Sequence, residues 1–344
     1  MRGERDPLLL KPPRLRMGDT VGVVSLSAPV VAECPRRYRR GLQELERRGF
    51  RVRPGAHVAA RHGHTAGTPE QRLADLHVLW RDPEVRAILN TIGGYNSHHL
   101  LEDLDYEYIA RHPKLFVGYS DITAIHVALH ARTGLVTVLG PALLPQFGEY
   151  GGVHPYTWEH FQRVTMRAEA PGELRPSPEW TAEHLRWDVE DDRPRRFIPN
   201  PGPRTLRPGR AEGPILAGNA GTLLLLAGTP WWPRVDGVIL CLEEDEAETP
   251  ATVDRMLTQL RHMGVFGRIS GLVLGRFHPR VGFSDDDPLD AVVLRAVRGY
   301  EFPVAVDFDF GHTDPMFCLP LGIRARLEAA PERPRLALLE PAVV

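Results

Sequence analysis

The chain has 344 residues, with 42 Lys and Arg against 44 Asp and Glu and a formal charge of −2. That length exceeds one typical core and suits two α/β domains, while near-neutral charge and the lack of a long apolar run exclude binding of a nucleic acid polymer or a membrane as the main task. Cys34, Cys241 and Cys318 are odd in number and far apart, which argues against a disulfide framework and a zinc site and fits a reducing cytoplasm.

Residues 1–16 are charged and proline-bearing without an apolar h-region, unlike a signal peptide. Thr20–Ser25 reads as a buried strand and Arg37–Arg48 as a helix that Gly49 ends. A short strand at Phe50–Arg53, a His- and Gly-rich loop over His57–Thr68 and a helix over Pro69–Trp80 follow. The strand Val85–Ile92 runs into Gly93-Gly94-Tyr95-Asn96, then come a helix near Ser97–Leu101 and the strand Leu115–Gly118. Such alternation predicts a doubly wound, mostly parallel sheet over residues 1–150. Residues 151–210 are dense in Pro, Trp, Arg and acidic residues with little periodicity, so a lid or interdomain connector is expected. From 211 to 344 alternation resumes: strands Gly237–Leu242, Ser270–Gly275 and Val304–Phe310, and helices Pro250–Met263 and Pro288–Val297, with Ala325–Leu327 and Leu336–Leu339 closing a second α/β domain.

Ligands in open α/β sheets bind beyond the carboxyl ends of the strands, and three reactive side chains fall there. Ser120 sits between the strand ending at Gly118 and a helix over Ile122–Arg132. A serine on so sharp a turn is exposed and faces the positive end of the helix dipole, and the Asp121 amide is placed to serve as an oxyanion donor. A serine here also serves as a plain helix N-cap, and the full G-x-S-x-G pattern is absent because Ile122 stands at its last position. Glu243 follows Val238–Leu242 and supplies a carboxylate able to orient an imidazole; the Glu244–Glu248 run after it reads as a solvated acidic turn. His312 follows the strand Val304–Phe310 through Gly311 and supplies a base near neutral pH. Together they give nucleophile, acid and base in chain order.

Metal readings are weaker. His57, His62 and His64 lie in a glycine-rich loop without zinc-helix spacing, and Asp285-Asp286-Asp287 lacks the EF-hand pattern. No metal or cofactor is therefore expected. A non-catalytic peptide- or nucleotide-binding protein that keeps the cleft would require a disabled triad, and all three members are present.

The chain resembles the LD-carboxypeptidase family of serine peptidases, which includes the microcin C self-immunity peptidases. The resemblance rests on Gly93-Gly94-Tyr95-Asn96, the block Pro113–Thr123, Thr137–Pro141, Leu216–Asn219, Ile239–Glu244, Gly311–Thr313 and Leu319–Gly322. It implies an amidotransferase-like N-terminal domain bearing the nucleophile Ser120, and a C-terminal domain bearing the acid Glu243 and the base His312. It further implies an oxyanion hole from the Gly94 and Asp121 amides, substrate contacts at Gly93 and Asn219, and a homodimer.

Within the family one branch removes the terminal D-alanine of peptidoglycan tetrapeptides. The other cleaves aminoacyl groups from nucleotide-like phosphoramidates or sulfamates. The segment Pro178–Gly209, with Trp180 and Trp187, is similar to the longer connector of the second branch, which implies that Trp187 stacks on a base; both tryptophans also suit a plain anchoring role. The chain departs from that branch at Arg276-Phe277-His278-Pro279, where an acid is expected to receive the aminoacyl amine and His278 is unsuited to do so.

Overall fold

The computed structural model describes residues 9–344; the first half of the charged lead-in, residues 1–8, lies outside the described residues. Five strands come first: β1 (Thr20–Val24), β2 (Arg51–Pro54), β3 (Val85–Asn90), β4 (Leu115–Gly118) and β5 (Val138–Leu139). The connector adds β6 (Gly172–Glu173), β7 (Glu179–Trp180), β8 (Ile198–Pro199) and β9 (Arg204–Arg207). Then follow β10 (Gly209–Asn219), β11 (Ile239–Glu243), β12 (Gly271–Gly275), β13 (Val304–Phe308), β14 (Leu319–Pro320), β15 (Arg324–Ala329) and β16 (Arg335–Leu338). The helices are α1 (Val30–Glu33), α2 (Pro35–Arg47), α3 (Pro69–Arg81), α4 (Tyr106–Arg111), α5 (Thr123–Thr133), α6 (Pro155–Thr165), α7 (Ala220–Leu225), α8 (Pro250–His262) and α9 (Leu289–Ala296).

The first sheet runs β14-β5-β4-β3-β1-β2, parallel from β2 to β5. The strand order reverses between β1 and β3, and the crevice for a ligand opens at such a switch point. Its edge partner β14 is antiparallel and arrives from the C-terminal part of the chain. The second sheet runs β6-β16-β15-β10-β11-β12-β13-β9, parallel only from β10 to β13. β1, β11 and β12 are buried at every position, as continuous apolar runs covered on both faces should be. Thr68 and Gln71 close a capping box at the start of α3, and Thr249 and Thr252 do the same for α8, each with proline at the first turn.

The stretch 151–210 is more ordered than its aperiodic sequence suggests. α6 buries Thr157, Trp158, His160, Phe161, Val164 and Thr165. The stripe escapes detection because half of it is polar or titratable; burial drives His160 down to about 3, so it packs as a neutral ring. β6 and β9 pair into the second sheet, so the connector builds that sheet's two edges as well as joining the domains.

Candidate active site

Ser120 takes φ 63°, one of two left-handed non-glycine residues among those described. The strand stops at Gly118, Tyr119 stays extended, and a tight turn over Ser120–Ile122 feeds α5. This strained corner lifts the hydroxyl out of the chain path, the geometry of a nucleophile elbow. Gly93 lies directly against it: a Cβ there would stand 2.6 Å from Ser120 Cβ and 3.2 Å from the Asp121 amide. Gly94, at φ 146°, runs so close to Ser27 Oγ that a side chain would meet it at 2.5 Å. The Asp121 carboxylate clamps the two loops together, accepting from Ser27 Oγ at 2.6 Å and the Ser97 amide at 2.7 Å. The loops after β1, β3 and β4 thereby converge on one point.

The second sheet brings the other two groups. Glu243 ends β11, is 1% exposed, and accepts from His312 Nδ1 at 2.5 Å, while His312 Nε2 accepts from Ser120 Oγ at 3.0 Å. Gly311 at φ 104° makes this possible, because a Cβ there would fall 2.7 Å from the Glu243 carboxylate. Burial pulls the His312 pKa down, but the charge and hydrogen bond of Glu243, helped by Asp245 and Glu246, outweigh it and raise it to about 9. The adjacent Glu244 is not part of a solvated turn. It is buried, accepts from Asn219 Nδ2 at 2.8 Å and the Gly221 amide at 2.5 Å, and is pushed up to about 8 by burial and by Glu243.

Ser120 and His312 line a cleft of about 390 Å³ with Gly93, Gly94, Tyr95, Trp187, His278, Asp245 and Glu246 among its walls. Asn219 does not line it. Its carbonyl caps α7 through the Thr222 amide, its Nδ2 goes to Glu244, and its backbone amide donates to Thr123 Oγ1 at 3.0 Å. Asn219 therefore positions the domain interface. The two connector tryptophans separate clearly: Trp180 sits in β7 under the Arg276 guanidinium and does not line the cleft, whereas Trp187 lines it and carries the Arg37 guanidinium 4.1 Å over its ring. His278 lines the cleft, but donates from Nε2 to Ala182 O and accepts the Arg280 amide at Nδ1, which fixes it as a neutral tautomer that cannot hold an ammonium.

Sequence reasoning missed Arg195. Its Nη2 bridges Glu149 and Asp314, both at 2.8 Å, and Asp314 also accepts from Gln146 Nε2, which reaches the Tyr119 hydroxyl. One connector arginine thus ties the first domain to the loop that carries His312. Nothing local in the sequence marks it among so many arginines.

The chain matches the LD-carboxypeptidase N-terminal domain over residues 21–140 and the LD-carboxypeptidase C-terminal domain over residues 212–327. It is 34% identical to the microcin C7 self-immunity protein MccF of Escherichia coli, over 94% of this chain and 93% of that one. It is also 34% identical to a probable murein peptide carboxypeptidase of Bacillus subtilis, over 93% and 92%. The structure of MccF in complex with glutamyl sulfamoyl guanosine superposes with a TM-score of 0.90 at 30% identity, covering 97% of this chain and all of the other. An MccF-like protein from Bacillus anthracis gives 0.90 at 34% identity, covering 96% and 99%. No helix among the described residues is long and apolar enough to cross a membrane. The chain belongs to the LD-carboxypeptidase family of serine peptidases and is a hydrolase of its MccF-like branch.

Proposed function

We propose that this protein hydrolyses an amide-type bond by acyl transfer through Ser120, His312 and Glu243, and that its substrates are aminoacyl groups joined to a nucleotide-like phosphoramidate or sulfamate. His312 takes the Ser120 proton as Oγ attacks the acyl carbonyl. The oxyanion is received by the backbone amides of Gly94, in the loop whose Gly93 packs against Ser120, and of Asp121, next to Ser120 in the chain. The imidazolium then protonates the leaving nitrogen, and water enters by the reverse of these steps to free the acid and restore Ser120. Glu243 holds His312 in the tautomer that keeps Nε2 free to accept.

The observation that carries the substrate class is Trp187, whose indole forms a wall of the cleft that contains Ser120 and is pre-organised by Arg37 over its ring. Base stacking on such a ring is worth about 1–3 kcal/mol. MccF itself has been solved with aspartyl sulfamoyl adenosine, which supports the same class here. A second reading, removal of D-alanine from a murein tetrapeptide, is favoured by the likeness to the murein peptide carboxypeptidase. The test is mass spectrometry of purified enzyme and Ser120→Ala given either tetrapeptide or aminoacyl-sulfamoyl adenosines. Amino acid released from the adenosine compounds by the wild type alone is the expected result. Release of D-alanine alone assigns the second reading, and turnover surviving in Ser120→Ala overturns the mechanism.

A further inference from the structure

The charges around the cleft do not balance. Arg195 is neutralised by Glu149 and Asp314. His278 is a neutral tautomer, and burial lowers the pKa of His184. Glu183 is satisfied by Arg193 and the Arg196 amide. Two carboxylates remain, in the loop that follows β11. The Asp245 carboxylate accepts only the Ala247 amide, and the Glu246 carboxylate has no hydrogen bond or ion pair among the described residues. Both line the cleft with Ser120, His312, Tyr119, Tyr95 and His184, groups from both domains and the connector, and the Glu246 charge acts on the last four of these. Asp245, Glu248 and Glu244 are the other anions that act on Tyr95.

An unpaired carboxylate in a half-closed cleft is stabilised by a cation that arrives with the ligand. A free aminoacyl α-ammonium supplies one positive charge against two anions, which leaves one anion for the side chain. The geometry points to Glu246, with Asp245, as the determinant that selects acyl groups bearing a basic side chain. This inference rests on the acyl-transfer reading of the cleft, and comparing acyl groups on one common leaving group isolates it, since both anions share the cleft with Ser120 and His312. It also answers the departure at His278: the ammonium is received by Asp245 and Glu246, which line the same cleft.

Lysyl-, norleucyl- and glutamyl-sulfamoyl adenosine share size and leaving group and differ in side-chain charge. Binding to Ser120→Ala, read by titration calorimetry at neutral pH and low salt, separates recognition from turnover. We expect lysyl over norleucyl by about tenfold or more, glutamyl weakest, and a preference that shrinks as salt is raised. In Ser120→Ala/Glu246→Gln the lysyl-to-norleucyl ratio collapses towards one, and in Ser120→Ala/Glu246→Asp it is largely kept. Comparing a ratio cancels the effect that losing this charge has on His312. Equal binding of lysyl and norleucyl compounds, no binding of the lysyl compound, or a ratio untouched by Glu246→Gln overturns the proposal. If Ser120→Ala shows the lysine preference while the wild type cleaves none of the three, the inference stands and the proposed reaction falls.

Discussion

In the proposed mechanism His312 is the residue on which the chemistry turns, and its surroundings set the pH at which it would work. A general base must be unprotonated, and the His312 pKa is raised to about 9 because Glu243, Asp245 and Glu246 outweigh burial. The expected kcat/KM therefore climbs through neutral pH and levels off above about 9. Glu243→Gln removes the largest raising influence, so the limb moves towards lower pH while the plateau falls by about 10³–10⁴-fold, since the ring loses its orienting acceptor. A pH–rate profile of both proteins checks this; an unmoved limb would assign the titration to another group. The same shift bears on stability. A raised folded-state pKa means the folded form holds its proton more tightly, so this stabilisation is complete below about 6.5 and is lost as pH rises through about 9. At this scale the sequence was informative for Ser120, Glu243 and His312, because each is a reactive group placed just past an apolar strand. It was uninformative for Arg195, Asp245 and Glu246, whose roles depend on which charges the fold brings opposite them.

The connector shows the same division at the scale of elements. Its length and composition announce a functional segment, yet β6 and β9 become sheet edges only through partners 97 to 166 residues away, and pairing at that range leaves no periodic trace in so short a strand. Its two functional contacts make separable predictions. Trp187→Ala should raise KM for aminoacyl-sulfamoyl adenosines by about 5–100-fold, the equivalent of a lost base stack, and leave hydrolysis of a substrate without a base little changed; equal losses on both would reduce Trp187 to an anchor. Arg195→Ala leaves Asp314 and Glu149 without their shared partner, although Arg37 still reaches Glu149. Stability should fall by about 2–4 kcal/mol in denaturant titration. The kcat should fall as well, because Asp314 follows His312 by two positions and pairs with Thr181 of the connector through both backbone groups.

Across the whole molecule the proposed triad is split: Ser120 follows a strand of one sheet, while Glu243 ends one strand of the other and His312 follows another. The proposed reaction thus depends on how the sheets are docked, and one close contact between them is where the end of β10 meets the start of α5. Asn219 donates its amide to Thr123 Oγ1 there, and a Cβ on Gly218 would fall 2.3 Å from Thr123 Cγ2. Thr123 lies three residues beyond Ser120, so pressure on it is passed along one short rigid turn to the nucleophile. Gly218→Ala should therefore push α5 from the second sheet and stretch the contact between Ser120 Oγ and His312 Nε2, now 3.0 Å. The expected loss is about tenfold or more in kcat with little change in KM, since reacting atoms are misplaced while the cleft walls remain. Overpacking of this kind costs about 1–3 kcal/mol. Adding Thr123→Ser removes the methyl that a Gly218→Ala side chain strikes and keeps the hydroxyl that Asn219 needs, so the double variant should recover most of the kcat. Recovery would locate the defect in the spacing of the two sheets; a double variant as impaired as Gly218→Ala alone would show that the interface does not govern the alignment of the triad.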